Sequence, residues 1–243
     1  LRTEFAISAW AAYAPGLETA DQWRAWAARP WLPLGEGIPA LPEMPAMSRR
    51  RLNAMGRMAV QAAYWCPPME STVPTVLASR YGDAVRSLEL LATVVRGDAV
   101  SPTAFGLSVH NAIGALYSIA RGDRAQQVAV AAGAASAAAG LVEAAALLAD
   151  GAPEVTVVCY DAALPEDHAC FHDEPACCYA WAWRVCAPAP GQPRMELAVN
   201  RPGESGSHDP ALPFGLDVLR FALSEDAAFS RAADHTSWTL RRA

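Results

Sequence analysis

Apolar residues along this chain come in short runs that change period, and each change marks where a strand gives way to a helix. Phe5-Ala-Ile-Ser-Ala-Trp-Ala-Ala-Tyr13 reads as a strand, closed by Pro15-Gly16. Thr19 to Ala28 places Trp23 and Trp26 three apart, the spacing of one helical face. Pro30, Pro33, Pro39, Pro42 and Pro45 then forbid regular helix and predict a surface loop. Ser48 is the expected cap of a helix that runs to about Trp65, where Pro67-Pro68 stops it. Pro74 to Ser79 is a short strand. Asp83 to Val95 has helical spacing at Val85, Leu88, Leu91 and Val95 and ends at Gly97.

A low-charge segment from Ser101 to Ala120 ends at Arg121-Gly122. Val128 to Ala132 looks like a buried strand, and Gly133 marks a tight passage into a helix from Ser136 to Asp150. Glu154 to Tyr160 is the clearest buried strand, and Cys178 to Cys186 alternates as another. Met195 to Val199 is a further short strand. The chain then crosses Gly203, Gly206 and Pro210 before a closing helix from Phe214 to about Ser230. The predicted core order is β-α-β-α-β-α-β-β, an α/β layered fold with a largely parallel sheet. Residues 1–190 form the expected main domain. Residues 191–243 add a strand and a C-terminal helix packed on it.

The chain has 243 residues, 53% of them hydrophobic and 18% charged, which excludes disorder and leaves room for a sizeable core. Net charge is −6, and all 19 basic residues are Arg, so no global footprint for nucleic acid is present. The Ala-rich stretch from Ala125 to Val142 carries Gln126, Gln127 and Ser136, too little insertion free energy for a membrane span. The opening residues lack the pattern of a secretory signal, and the six Cys are not needed as staples in a chain of this length. These features predict a cytoplasmic protein.

Candidate chemistry is sparse. Neither a G-x-x-x-x-G-K-[ST] nor a G-x-G-x-x-G phosphate loop occurs, and without Lys a Walker-type site is excluded. His168-Ala-Cys-Phe-His172 with Cys177-Cys178 offers zinc-type ligands but no C-x-x-C pair, and its acidic neighbours make it read as a polar loop; no metal and no cofactor is expected. Cys159 with Asp161 and His168 or His172 suggests a cysteine hydrolase or acyltransferase, against the simpler reading of a buried apolar Cys. Arg49, Arg50, Arg51 and Arg57 either face solvent at a helix start or dock an acidic partner. Arg at a helix start opposes the helix dipole, which argues for docking.

Local sequence then points further. Ser101-Pro-Thr-Ala-Phe105, Ser108-Val-His-Asn-Ala112 and Ser118-Ile-Ala-Arg-Gly122 resemble the segment before the nucleophile strand of β-ketoacyl synthase-like proteins, in the thiolase superfamily. Val128 to Leu141 is similar to their strand–elbow–helix. Gly140-Leu-Val-Glu-Ala-Ala145, Val155 to Asp161 and Leu164-Pro165 continue the resemblance. It covers residues 5–186 and implies one thiolase-like half with a short C-terminal extension. Two departures bear on function. Ala134 stands where the resemblance implies the catalytic Cys, so acyl transfer there is chemically closed. About 57 residues follow Cys186, too few for the second half that supplies the catalytic His pair, and His208 and His235 lack the expected strand pattern around them.

The resemblance therefore implies a non-catalytic chain-length-factor-like subunit of the short, aryl-polyene type. Its implied partners are a β-ketoacyl synthase, as a heterodimer, and an acyl-carrier protein, with no nucleic acid and no membrane. Phe105, Ser108, Asn111, Tyr117, Gly133, Ala134 and Ser136 are the expected tunnel or interface residues, and Arg49, Arg50, Arg51 and Arg57 the expected carrier-protein contacts. The alternative is a stand-alone Cys159-dependent hydrolase or acyltransferase.

Overall fold

The computed structural model describes residues 1–66, 73–200, 211–233 and 236–243. Its elements, in chain order, begin with β1 (Arg2–Tyr13), α1 (Ala20–Ala28), α2 (Ala46–Arg49), α3 (Ala54–Trp65) and β2 (Thr75–Ala78). Then come α4 (Ala84–Val95), α5 (Pro102–Ser108), α6 (Ala112–Arg121), β3 (Gln127–Val130), α7 (Ser136–Ala149) and β4 (Glu154–Asp161). A 3-10 turn at Glu166–Phe171 leads to β5 (Tyr179–Cys186), β6 (Met195–Asn200), α8 (Phe214–Leu223), β7 (Ala228–Ala233) and β8 (Thr236–Arg242). The expected succession through β5 is observed. Among the described residues no helix is long and apolar enough to cross a membrane.

The strands form one sheet in the order β3-β2-β4-β5-β1-β6-β8-β7. The expectation of a largely parallel sheet is corrected here: only β2 with β3 and β2 with β4 pair in parallel, and the other five pairings are antiparallel. Parallel pairs need a crossover connection, and the two here are joined that way, β2 to β3 through α4–α6 and on to β4 through α7. β1 is long enough to serve two neighbours, pairing Ala6–Tyr13 with β5 and Arg2–Phe5 with β6, and its register shifts between Ile7 and Ala9.

Period-two alternation divides two cores. Tyr179, Trp181, Trp183 and Val185 of β5 join Val155, Val157 and Cys159 of β4 on the face covered by α1, α7 and α8. Ala180 and Ala182 point to the other face, where α3 and α6 pack with Met55, Met58, Ile113 and Leu116. Two of the buried indole N–H groups find acceptors: Trp23 donates to the Ala12 carbonyl at 2.9 Å and Trp181 to the Gly215 carbonyl at 2.9 Å, whereas that of Trp183 is left without one. The Ala bias of α7 has a physical reason. A Cβ built on Gly140 lies 2.9 Å from the Ala78 Cβ, so the helix rests almost directly on β2. Gly140→Val is therefore expected to push α7 off the strand and cost about 1–3 kcal/mol. A thermal melt unchanged from that of the parent protein would refute this contact.

Four expectations change. Ser48 lies inside α2, and the side chain of Asn53 caps α3 instead, accepting from the Gly56 amide at 2.8 Å. β3 is half-buried, not buried, because it is the edge strand. The closing helix stops at Leu223; Ala228 to Ser230, expected to end it, instead begin β7, which with β8 extends the sheet beyond β6. Arg49 is in the last turn of α2 and Arg50 and Arg51 follow it, so the argument from an opposed helix dipole falls away. His208, His235, Pro67, Pro68, Gly203, Gly206 and Pro210 lie outside the described residues.

Candidate functional site

The passage from β3 to α7 is a tight elbow. Gly133 takes a left-handed φ of 51°, a conformation that a residue with a Cβ adopts only at a cost. Ser136 fixes the turn from inside: its Oγ donates to the Gly133 carbonyl at 2.7 Å and accepts from the Ala132 amide at 3.0 Å. That hydroxyl is spent on the backbone, and the residue is 1% exposed. Ala134 is half-buried at the mouth of the elbow, before the start of a 14-residue helix. A thiolate there would be favoured by the helix dipole; a methyl group has no such chemistry. His110 borders the elbow, its Nε2 3.3 Å from the Val130 carbonyl. Gly82, at φ 58°, leaves room for that ring, since a Cβ on it would lie 2.7 Å from His110 Nδ1.

The expected site residues divide. Gly133, Ala134 and Ser136 form the elbow. Phe105 is 62% exposed on α5, with Ser108 half-buried at the end of that helix and Asn111 exposed just before α6. Tyr117 is not brought to the elbow. It is buried beneath α6, its ring against Tyr64 and its hydroxyl accepting from Arg121 at 3.0 Å, near the start of β2. Burial raises its pKa, with Arg121 opposing. Arg49 donates to the Leu41 carbonyl at 2.9 Å, Arg57 is half-buried, and Arg50 and Arg51 are exposed.

A second feature is an uncovered apolar face. No residue of α4 is buried, and Val85, Leu91, Val94 and Val95 are exposed on it, Val95 to 87%. α5 packs beside α4 and adds Phe105 and Val109. β3 leaves its outer edge unpaired within this sheet. The helical spacing at Val85, Leu88, Leu91 and Val95 announced this helix but not that its apolar positions stay uncovered.

The Cys159 constellation is not assembled. Cys159 is 1% exposed, and burial, with Asp161 nearby, pushes its thiol well above the ordinary range. His168 packs against Phe171 and His172 is exposed; neither hydrogen-bonds the sulfur among the described residues. The thiol form is the weak nucleophile. No group of three His, Cys, Asp or Glu side chains suited to a metal occurs among the described residues.

Two buried carboxylates went unread in the sequence. Asp161 accepts from the Ser79 hydroxyl at 3.0 Å, the Arg80 amide at 2.9 Å and the Tyr179 hydroxyl at 3.3 Å. Desolvation outweighs these donors and raises its pKa to about 7. Glu174 accepts from Arg80 at 2.9 Å, from the first amide of α8 at Phe214 at 3.1 Å, and from Arg231 of β7. It fastens the C-terminal elements to the end of β2. Burial raises its pKa, with Arg231 and Arg80 opposing.

Comparison with known proteins bears on this geometry. The family model for the beta-ketoacyl synthase N-terminal domain matches residues 23–240. The chain belongs to the beta-ketoacyl synthase N-terminal domain family. A search of curated proteins gives no match. Among solved structures, this ketosynthase-family chain is similar to one from the complex of the ketosynthase ApeO with its chain length factor ApeC from Xenorhabdus doucetiae. The two are 27% identical with a TM-score of 0.83, over 98% of this chain and 99% of that one. The ishigamide ketosynthase/chain length factor shares 13% identity and a TM-score of 0.65, over 82% and 67%. A beta-ketoacyl synthase from Burkholderia phymatum STM815 shares 14% and 0.61, over 84% and 65%. These last two show the fold alone. The α/β ketosynthase-type half expected from the sequence is the fold observed.

Proposed function

We propose that this chain is a non-catalytic, chain-length-factor-like partner of a β-ketoacyl synthase in polyene or fatty-acid-type biosynthesis. The observation that carries the reading is the elbow. Ala134 offers no nucleophile, and the Ser136 hydroxyl, the one polar side chain built into the turn, is held by Ala132 and Gly133. A partner's Cys then forms the acyl thioester, and decarboxylative condensation takes place in that partner. Similarity at 27% identity to a chain from a ketosynthase–chain length factor complex supports the pairing.

The exposed face of α4 and α5 is the surface on which the synthase docks, because an apolar patch left in water marks a contact surface. Phe105, Ser108 and Asn111 belong to this contact. Gly133, Ala134 and Ser136 form the turn that borders the acyl tunnel. Arg50 and Arg51 offer charge complementary to an acidic acyl-carrier protein, and the complex works in the cytoplasm. Co-expression with ketosynthases of the same organism, followed by light-scattering chromatography, tests the pairing. The expected result is a one-to-one complex with the synthase. A monodisperse monomer or homodimer that ignores every ketosynthase overturns it.

A further inference from the structure

A cleft opens on the α8 face of the sheet, away from the elbow. It is walled by Ile7 and Trp10 of β1, Trp183 of β5, Met195 of β6 and Leu223 at the end of α8, and it encloses about 220 Å³. β3, which leads to the elbow, is separated from these strands by β2 and β4. In register, Trp10 lies opposite Trp183 and Ile7 opposite Val185, towards the end of the sheet where β4 begins. Pro193, Arg194, Arg242 and Ala243 also line it, and of its two arginines one is loosely held. Arg194 is half exposed and only loosely paired with Glu4 at 3.6 Å, itself 43% exposed. Arg242, the other cation there, is committed: its guanidinium donates to the carbonyls of Phe221, Ala222 and Ser224 and caps α8.

We propose that this cleft binds a small carboxylate with an apolar tail, the tail lying against Ile7, Trp10 and Leu223 and the carboxylate on Arg194. The volume lies below the roughly 300–1,000 Å³ of pockets for drug-sized ligands, which selects a short acyl or single-ring group. The aromatic wall supplies contact area, and the guanidinium supplies orientation through charge-assisted hydrogen bonds. The proposal stands apart from the partner reading, because the cleft neither contains the elbow nor shares residues with the α4–α5 face.

Methionine-methyl NMR tests it on the full chain, since Met195 is a wall of the cleft whereas Met44, Met55 and Met58 sit in the core on the other face. Titration with octanoate is expected to shift the Met195 methyl saturably and leave those three in place, the Met195 signal being assigned with Met195→Leu. Arg194→Glu is expected to weaken octanoate about tenfold while 1-octanol binds as before. An unmoved Met195 at about ten millimolar octanoate, or shifts spread over the core methionines, overturns the site. Equal loss of octanoate and octanol in Arg194→Glu, or no loss of either, overturns the role of the carboxylate.

Discussion

Leu91→Asp combined with Phe105→Asp is expected to abolish the complex with the ketosynthase while the isolated chain keeps its unfolding transition. Both side chains already stand in water, Leu91 at 59% and Phe105 at 62% exposure, so the charges cost the free chain little. Covered by a partner, each carboxylate must be desolvated without a cation to meet it. Breaking the pairing of a buried charge costs about 3–5 kcal/mol, and two such sites exceed what a standard interface can lose. Light-scattering chromatography after co-expression reads the complex, and a melt of the purified variant reads the fold. A variant that still elutes one-to-one with the synthase would place the contact elsewhere.

Asp161→Asn is expected to flatten a pH dependence of stability that the parent protein shows between about pH 4 and pH 7. The folded carboxyl titrates near 7 against an ordinary value of 3.8, because burial disfavours its charge. Its contribution is fully present below pH 4, where both folded and unfolded chains hold the proton. It is lost as pH rises to 7, where the unfolded chain gains free energy by ionising first. The span corresponds to at most about 4 kcal/mol, an upper bound because the rest of the residue is partly exposed. Asparagine keeps a neutral amide against Ser79, Arg80 and Tyr179 and has no proton to lose. Urea denaturation of both proteins at several pH values should show the variant gaining on the parent towards pH 8. A difference that stays constant across that range would mean that Asp161 ionises freely in the folded chain.

Local chemistry was legible in the sequence, and long-range chemistry was not. Thr19 caps α1, Asp83 caps α4 and Gly122 ends α6 with a left-handed φ of 65°, each a signal carried by neighbouring residues. Gly133 likewise announced the elbow. The β7–β8 hairpin escaped because Ala228–Ala233 alternates between exposed and half-buried positions until Ala233, a pattern that gives no apolar stripe of its own. Ser48 is the expected cap because the run from it to Trp65 reads as one helix, which the structure breaks into α2 and α3. The Glu174 hub draws Arg80, Phe214 and Arg231 from three distant segments, and nothing within a local window marks any of them. Tyr117 lies away from the elbow for a related reason: the face that α6 turns to the sheet was not deducible from its low-charge sequence.

β1 has a consequence for how the chain reaches its fold. It opens the sheet's sequence yet closes its middle, with Ala6 opposite Cys186 and Arg2 opposite Ala198. Until β5 and β6 exist, the strand has no neighbour on either side, and it carries Phe5, Ile7, Trp10 and Tyr13 with both hydrogen-bonding edges bare. Pairing across so long a stretch of sequence is slow, and unpaired strand edges aggregate while they wait. A ribosome making this chain thus holds a sticky ribbon until residues 179–200 emerge, and the yield of soluble protein is expected to follow chaperone supply.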